Sequence, residues 1–497
     1  MLLQNKKIMP CCTPTCRKWS VFGFGTFFLV LGVAIIVFWN SLVQSIKDQE
    51  LNLGNDGTTE YKMWKETPIP MYIEFYLYNW TNWKEVVDSK WSLKPSFEEH
   101  GPYTYNEKHI RKNVIFNDNH TVTYKTQRIW HFAPEKSKGS LDDVITTLNP
   151  ILVTVGSMVK YKHPIVKMGV NFFIKEKGVN LTVTKTAREF IFDGYDDPLL
   201  DLLKKLHMRH INIPFDKFAW FISRNESIDY DGIYNMYDGT DDVRKLGRFA
   251  WWNYNNQTEY FPNYCGEVNG TSGELWYPVE NDQYAEVFSP DTCSTLTLVK
   301  QGTEELHGVV GHKFVGDEKL FDNGTRYPDM RCFSPGDVLP SGVRNVSHCK
   351  FGAPAFISYP HFYLADPYYR EAITGMTPNK TEHELFISIE PETGIPLHAR
   401  VAAQINLHLE KIDRITLLEH VGREYLIPAM WFKQYAVLSE DLANQAKMLI
   451  ILPAVGQYTG IGAVALGSLL LSIFGFLTWK SYRKGREEET LLNQEEF

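Results

Sequence analysis

The stretch Val21–Trp39 reads VFGFGTFFLVLGVAIIVFW, and Gly462–Trp479 reads GAVALGSLLLSIFGFLTW. Neither holds a charged residue, and the charge-free runs around them extend from Trp19 to Ile46 and from Met448 to Trp479. A helix needs about 20 apolar residues to cross the hydrocarbon core of a bilayer, so each run is long enough. Elsewhere apolar runs are short and broken by charge, as in a folded polar domain. The sequence therefore predicts two membrane-spanning helices, 19–46 and 448–479. They bracket one large loop, 47–447, and leave short tails at 1–18 and 480–497.

The flanks orient the spans. Lys6, Lys7, Arg17 and Lys18 precede the first, and Lys480, Arg483, Lys484 and Arg486 follow the second. The inner flanks carry Asp48, Glu50, Glu440 and Asp441, with Lys447 the main exception. The positive-inside rule then puts both tails in the cytosol, a double-pass arrangement at the plasma membrane. Trp39-Asn40-Ser41 offers no small-x-small cleavage site, so the first span reads as a retained anchor.

Glycosylation sequons occur at Asn79, Asn119, Asn180, Asn225, Asn256, Asn269, Asn323, Asn345 and Asn379, all inside the loop and none in a tail. Confinement of that kind marks an extracytoplasmic domain. Four cysteines, Cys265, Cys293, Cys332 and Cys349, share that oxidising compartment, which implies two disulfides. Four cysteines allow three pairings, and spacing does not choose among them. Cys11, Cys12 and Cys16 lie beside the membrane on the cytosolic side, placed for S-acylation.

Within the loop, Met71–Tyr78, Thr121–Phe132, Leu385–Ile389 and Ala399–Leu409 read as strands from their alternation and their β-branched and aromatic content. Residues 140–206 read as helical. Ser140–Asp143 resembles a helix start with apolar residues continuing to Val159. His163-Pro164 opens a second helix, with Ile165, Met168, Phe172 and Phe173 on one face and Gly178 as its stop. Thr186–Glu189 is a capping box for a third, and Asp197-Pro198 caps a short fourth.

Several motifs carry a family resemblance: Pro68-Ile-Pro70 through Phe75, Tyr76 and Asn79; Gly101-Pro-Tyr-Thr-Tyr105; Gly194-Tyr-Asp-Asp-Pro-Leu199; and Asn269-Gly-Thr-Ser-Gly273. The densest run is Gly352-Ala-Pro354, Ser358-Tyr-Pro-His-Phe-Tyr363, Pro378-Asn379, His383 and Pro391-Glu-Thr-Gly394. In order and spacing these resemble the class B scavenger receptors over nearly the whole chain, most of all the croquemort-type phagocyte receptors of insects. The resemblance implies an α+β fold: an antiparallel β-barrel-like ectodomain, an apical helical bundle and an internal apolar tunnel. It implies the pairs Cys265–Cys332 and Cys293–Cys349. Many vertebrate members carry a third disulfide with a cysteine where this chain has Ser334.

No Gly-x-Ser-x-Gly, His-Glu-x-x-His or Gly-x-x-x-x-Gly-Lys pattern occurs, and no spacing marks an acid/base pair, so the sequence reads as a non-enzyme without cofactor or metal. His361 reads as a histidine satisfied inside the fold. The tails carry +4 and −1, so the loop holds about −11 against the net −8. Lys160, Lys162, Lys167, Lys175 and Lys177 stand out from that acidic background with only Glu176 opposing. They form the expected ligand-binding cluster, because lysines on a surface bundle attract anionic headgroups or modified particles. Phe172, Phe173, Phe190 and Phe192 are expected to pack in the core.

The resemblance implies a receptor for lipids, fatty acids or sterols, lipoproteins, apoptotic cells and microbial surfaces, and no nucleic acid. Glu487 four residues before Leu491-Leu492 looks like an acidic dileucine signal for clathrin adaptors and endosomal or lysosomal cycling. Gly456-x-x-x-Gly460 and Ala463-x-x-x-Gly467 support close helix packing, against the first span or in a homo-oligomer. Other readings are a lysosomal sorting or lipid-export receptor, a sensory-neuron pheromone coreceptor, and a two-span channel or ectoenzyme.

Overall fold

The computed structural model describes residues 14–54, 58–205, 215–334, 336 and 339–495. It separates into two units, one formed by the two ends of the chain (to Gln49 and from Gln445) and one spanning Glu50–Asn444.

In the first unit the helices Pro14–Glu50 and Glu440–Glu495 are each long and apolar enough to cross a membrane. Their glycines are used where they touch. A Cβ at Gly32 would lie 2.7 Å from the Gly460 carbonyl oxygen, and one at Gly456 would fall inside the Trp39 ring. The Trp39 indole donates to the Leu452 carbonyl at 2.9 Å. Small residues let two backbones approach this closely in lipid. The Gly456/Gly460 pair is therefore spent on packing one span against the other.

Among the described residues the second unit has fifteen strands: β1 Met71–Trp80, β2 Phe97–Asn117, β3 Thr121–Phe132, β4 Val144–Leu148, β5 Thr182–Thr186, β6 Tyr234–Tyr237, β7 Phe249–Trp252, β8 Tyr284–Ser289, β9 Ser294–Leu306, β10 Val309–Val315, β11 Arg344–Asn345, β12 Ala355–Ser358, β13 Phe386–Ile389, β14 Pro396–Leu409 and β15 Tyr425–Val437. Thirteen form one sheet in the order β7-β6-β3-β2-β1-β15-β14-β13-β10-β9-β8, with β12 on β14 and β11 on β12. All its ladders are antiparallel; Phe75 of β1 sits opposite both Tyr103 of β2 and Phe432 of β15. The two edges are stitched through Asn269–Thr271. Phe249 N–H donates to the Gly270 carbonyl at 2.8 Å, and Thr271 N–H to the Glu286 carbonyl at 2.9 Å. Joined this way, β7 and β8 do not stand as open edges, and the sheet is nearly closed. The predicted strands are found in β1, β3, β13 and β14.

One expectation fails here. Residues 144–148 do not continue a helix from Ser140; they form β4, paired with β5. Val-Ile-Thr-Thr-Leu faces Thr-Val-Thr-Lys-Thr, and β-branched side chains restricted at χ1 favour the pleated pair over a helix. The helices that follow each begin at a proline behind a capping side chain. Asn149 accepts from the Ile151 and Leu152 amides before Pro150–Val159, His163 from Ile165 before Pro164–Glu176, and Asp197 from Leu199 before Pro198–Lys205. Proline at the first helical position lacks only an amide that would be unpaired anyway. The Thr186/Glu189 capping box forms as expected but opens a single π-type turn, Glu189–Asp193. The bundle packs on the sheet through Leu148, Ile151, Leu152 and Val155 against Leu407, Leu409 and Tyr425.

Both disulfides join the pairs the resemblance implied, Cys265–Cys332 and Cys293–Cys349, with Cα–Cα distances of 6.0 and 6.2 Å.

Candidate functional site

The Pro164–Glu176 helix and the turn before it are held along one side by the segment 410–416. Lys160 pairs with Glu410 at 2.6 Å, Lys167 with Asp413 at 2.7 Å, and the Thr416 amide donates to Asn171 at 2.9 Å. Burial works against the Lys160 charge, but Glu410 outweighs it and raises the ammonium's pKa. Lys167 is only 6 % exposed. The five lysines thus divide. Lys167, on the helix, and Lys160, at the end of the preceding Pro150–Val159 helix, are tied to this segment, while Lys162, Lys175 and Lys177 face water. The helix turns Lys167, Val170 and Ile174 inward. That rotation leaves Phe172 68 % exposed, against the expectation that it would pack; Phe173 is half-buried, and Phe190 is buried in the core. Phe192 is half-buried among Phe75, Tyr105, Trp130 and Phe221.

A cavity of about 370 Å³ runs through the β unit. Pro150, Ile151, Thr154, Leu200 and Leu203 of the bundle line one part of it, and Leu397, Ala436 and Leu438 another. On β14 every second residue from Leu397 to Leu407 faces it: Leu397, Ala399, Val401, Ala403, Ile405 and Leu407. At about 3.3 Å per residue that wall is roughly 33 Å of strand. The alanines at 399 and 403 leave the interior empty where larger side chains would fill it. On the opposite face Gln404 and Asn406 are buried and fully engaged, Gln404 accepting from Tyr78 Oη at 2.9 Å and from the His361 amide at 2.7 Å. This period-two run of apolar and small residues was visible in the sequence, and reading β14 only as a strand passed over it.

Two charged groups interrupt the apolar wall. Glu107, His109 and Arg111 alternate along β2 and point to the same side. His109 Nε2 lies 2.7 Å from Glu107 and Nδ1 2.8 Å from Glu274, whose second oxygen takes Arg111 at 2.7 Å and Thr67 Oγ1 at 2.9 Å. Burial would strip the imidazole of its proton, but the Glu274 and Glu107 carboxylates raise its pKa. Glu274 is itself held well below the carboxylate range, Arg111 and His109 overcoming its burial. In the second group Arg224 reaches Asp291 at 2.8 Å and Asp231 at 3.3 Å, Arg128 reaches Asp231 at 2.8 Å, and Lys350 stands 3.9 Å from Asp291. Three cations face two carboxylates there.

His361 is satisfied within the fold. Its Nε2 lies 2.7 Å from Glu99, its Nδ1 accepts the Thr377 amide at 3.0 Å, and its ring stacks on His383. Among the described residues no group of three or more His, Cys, Asp or Glu is placed to hold a metal ion.

Of the sequons, Asn119, Asn180, Asn225, Asn256 and Asn379 are exposed, and Asn79, Asn269 and Asn345 half-buried. Asn323 differs: it is 2 % exposed, and its Nδ2, the atom a glycan would occupy, donates to the Leu339 and Pro340 carbonyls. Glu487, Leu491 and Leu492 lie exposed on the last helix. Cys16 is half-buried; Cys11 and Cys12 lie outside the described residues.

A family model described as the CD36 family matches residues 23–478. Protein peste of Drosophila melanogaster is 33 % identical over 453 residues, covering 90 % of this chain and 80 % of that protein. Scavenger receptor class B member 1 of Bos taurus is 32 % identical, covering 97 % of this chain and 95 % of the relative. Lysosome membrane protein 2 of Rattus norvegicus is 31 % identical, covering 92 % and 93 %.

Proposed function

The chain belongs to the CD36 family, and on that premise we propose that it is a double-pass scavenger receptor that captures lipid-bearing particles and admits single lipids to its interior. The observation that carries this is the apolar cavity running from the bundle to Leu438. Burial of an acyl chain there gains about 0.8 kcal/mol per methylene and needs neither nucleophile nor cofactor. The surplus positive charge of Arg128, Arg224 and Lys350 over Asp231 and Asp291 suits a lipid carboxylate or phosphate.

Docking falls to the exposed cations Lys162, Lys175 and Lys177, with Lys160 and Lys167 anchoring two successive helices to the segment 410–416. Lipoproteins, apoptotic cells and microbial surfaces present the anionic lipid these cations attract, and many receptor copies on one cell raise avidity. Both tails are cytosolic in this reading. Clathrin adaptors take the exposed Leu491-Leu492 pair, and Cys11, Cys12 and Cys16 carry acyl groups. The same pair favours a second reading, residence in lysosomes, which the name of one relative also suggests.

The test is uptake of fluorescent phosphatidylserine-containing and neutral vesicles by non-phagocytic cells expressing the chain, with surface protein quantified. Selective uptake of the anionic vesicles supports the receptor reading. No uptake despite good surface delivery sinks it, and retention inside the cell favours the lysosomal alternative.

A further inference from the structure

The outward face of the Pro164–Glu176 helix is apolar. Ile165 is 71 % exposed, Met168 56 % and Phe172 68 %. At positions i, i+3 and i+7 they form one stripe along the helix. Gly169 lies within the stripe, and a Cβ built there would meet nothing within 4 Å. Glycine in mid-helix costs about 1 kcal/mol relative to alanine, and here no packing neighbour among the described residues accounts for it. What it leaves is a helix surface that a flat partner can approach closely.

Cations surround the stripe. Lys162 precedes the helix and Lys175 lies one turn beyond Phe172, both exposed. Arg414, also exposed, sets its guanidinium 3.7 Å from the Met168 sulfur. The nearby carboxylates are already opposed, Asp413 by Lys167 and Glu176 by Lys177. An apolar stripe rimmed by lysine and arginine is the pattern of a helix lying in a membrane interface. We infer that this helix docks by insertion: Ile165, Met168 and Phe172 enter the acyl layer of an anionic lipid surface while Lys162, Lys175 and Arg414 meet its headgroups. This rests on the lipid-particle reading above and adds that contact is apolar as well as electrostatic. A lipid surface fits better than a folded protein partner, because the stripe lies along the convex face of a single helix and is rimmed by cations.

The experiment uses the full chain on cells in the cold, with fluorescent phosphatidylserine–phosphatidylcholine vesicles at physiological and roughly fivefold higher ionic strength. The wild type should keep binding at high salt. I165S/M168S/F172S together should weaken binding about 100-fold and make the remainder salt-sensitive. K162Q/K175Q/K177Q together should lower binding at physiological salt and spare the salt-resistant part. Separately, an environment-sensitive dye on F172C should shift to the blue when these vesicles bind. Vesicle binding by the stripe variant equal to wild type, with no dye shift, overturns insertion and leaves receptor docking standing. Cross-linking of labelled chains to one another through position 172 without vesicles assigns the stripe to a second copy and also overturns it. Failure of correctly delivered wild type to bind any vesicle removes the receptor reading itself.

Discussion

His383 and His361 stack face to face, with ring centroids 4.6 Å apart and planes 5° from parallel. The Nδ1 of His383 accepts the Asn379 amide at 3.0 Å, as that of His361 accepts Thr377. A second proton on His383 must therefore break a backbone hydrogen bond. Burial first, then His361, holds His383 down to about 4 from 6.5; Glu99 opposes this, and Lys433 and Arg400 reinforce it. Between those values the unfolded chain binds the proton and the folded chain does not. This contribution to stability is complete above about pH 6.5 and is lost as the pH falls toward 4. For one buried group the loss is about 1.4 kcal/mol near pH 5.5 and about 2.6 kcal/mol near pH 4.5.

His109 has the opposite sign. Its raised pKa stabilises the fold fully below about 6.5, and that contribution is lost as pH rises through the folded value. The raw pH profile thus mixes the two, and a variant must separate them. His383→Gln keeps an acceptor for the Asn379 amide and removes the titration. With an unfolding entropy of about 2.1 cal/mol/K per residue over a unit of this size, about 2.6 kcal/mol corresponds to about 3 °C. The assay is thermal unfolding of the full chain in lipid nanodiscs, followed by tryptophan fluorescence from neutral pH to about 4.5. The melting temperature of the variant should fall about 3 °C less than that of the wild type across the range. Parallel curves would refute the assignment.

Three further outcomes are expected. Ala403→Phe puts a ring into the cavity, and each pair of methylenes it displaces should cost a fluorescent fatty acid about tenfold in uptake, with vesicle docking retained; unchanged uptake would show that lipid does not use this space. Asn323→Gln should remove no glycan on mass analysis, in contrast to Asn180→Gln, yet should lower surface yield, since two buried carbonyls lose their donor at about 1–3 kcal/mol each; a missing glycan would contradict the burial of Asn323. Leu491→Ala with Leu492→Ala should raise surface abundance by flow cytometry, and no change would remove the sorting signal.

Composition and order carried the architecture a long way. Two charge-free runs gave the spans, and the motifs from Pro68 to Gly394 pointed to an antiparallel barrel-like domain with a helical bundle over 140–206, though not to the β4–β5 pair within it. Local caps were legible too, because Asn149, His163 and Asp197 each stand directly before a proline. What escaped was rotation. The Pro164–Glu176 helix is apolar at 165, 168 and 172 and also at 170, 173 and 174, so periodicity alone cannot say which stripe faces the core. The ties of Asp413 to Lys167 and of Thr416 to Asn171, some 245 residues away, make that choice, and Glu410 ties down Lys160 at the end of the preceding helix. The same ties turn Lys160 and Lys167 from surface charges into clamps. The hollow interior was hidden for a related reason. Alanine at 399 and 403 reads as filler until the cavity that both residues line shows the room they leave.

A hollow barrel needs support that a packed one does not. At about 24 cal/mol per Å³, leaving 370 Å³ unfilled costs about 9 kcal/mol relative to a close-packed core, as much as the whole stability of many domains. The two disulfides close separations of 67 and 56 residues, and each contributes about 4 kcal/mol in the chain-entropy treatment, a sum of nearly the same size. Their position fits that role. Thr292 beside Cys293 and Lys350 beside Cys349 both line the cavity, so one bridge braces the wall that an absent core would otherwise have held. The buried ion groups around Glu274 and Asp291 join strands and loops across the same wall, through directional contacts that need no filled interior. An apolar ligand present at 100 times its Kd adds about 2.7 kcal/mol on top, because it binds the folded chain alone. Covalent bridges thus hold the fold around an interior that its own side chains do not fill.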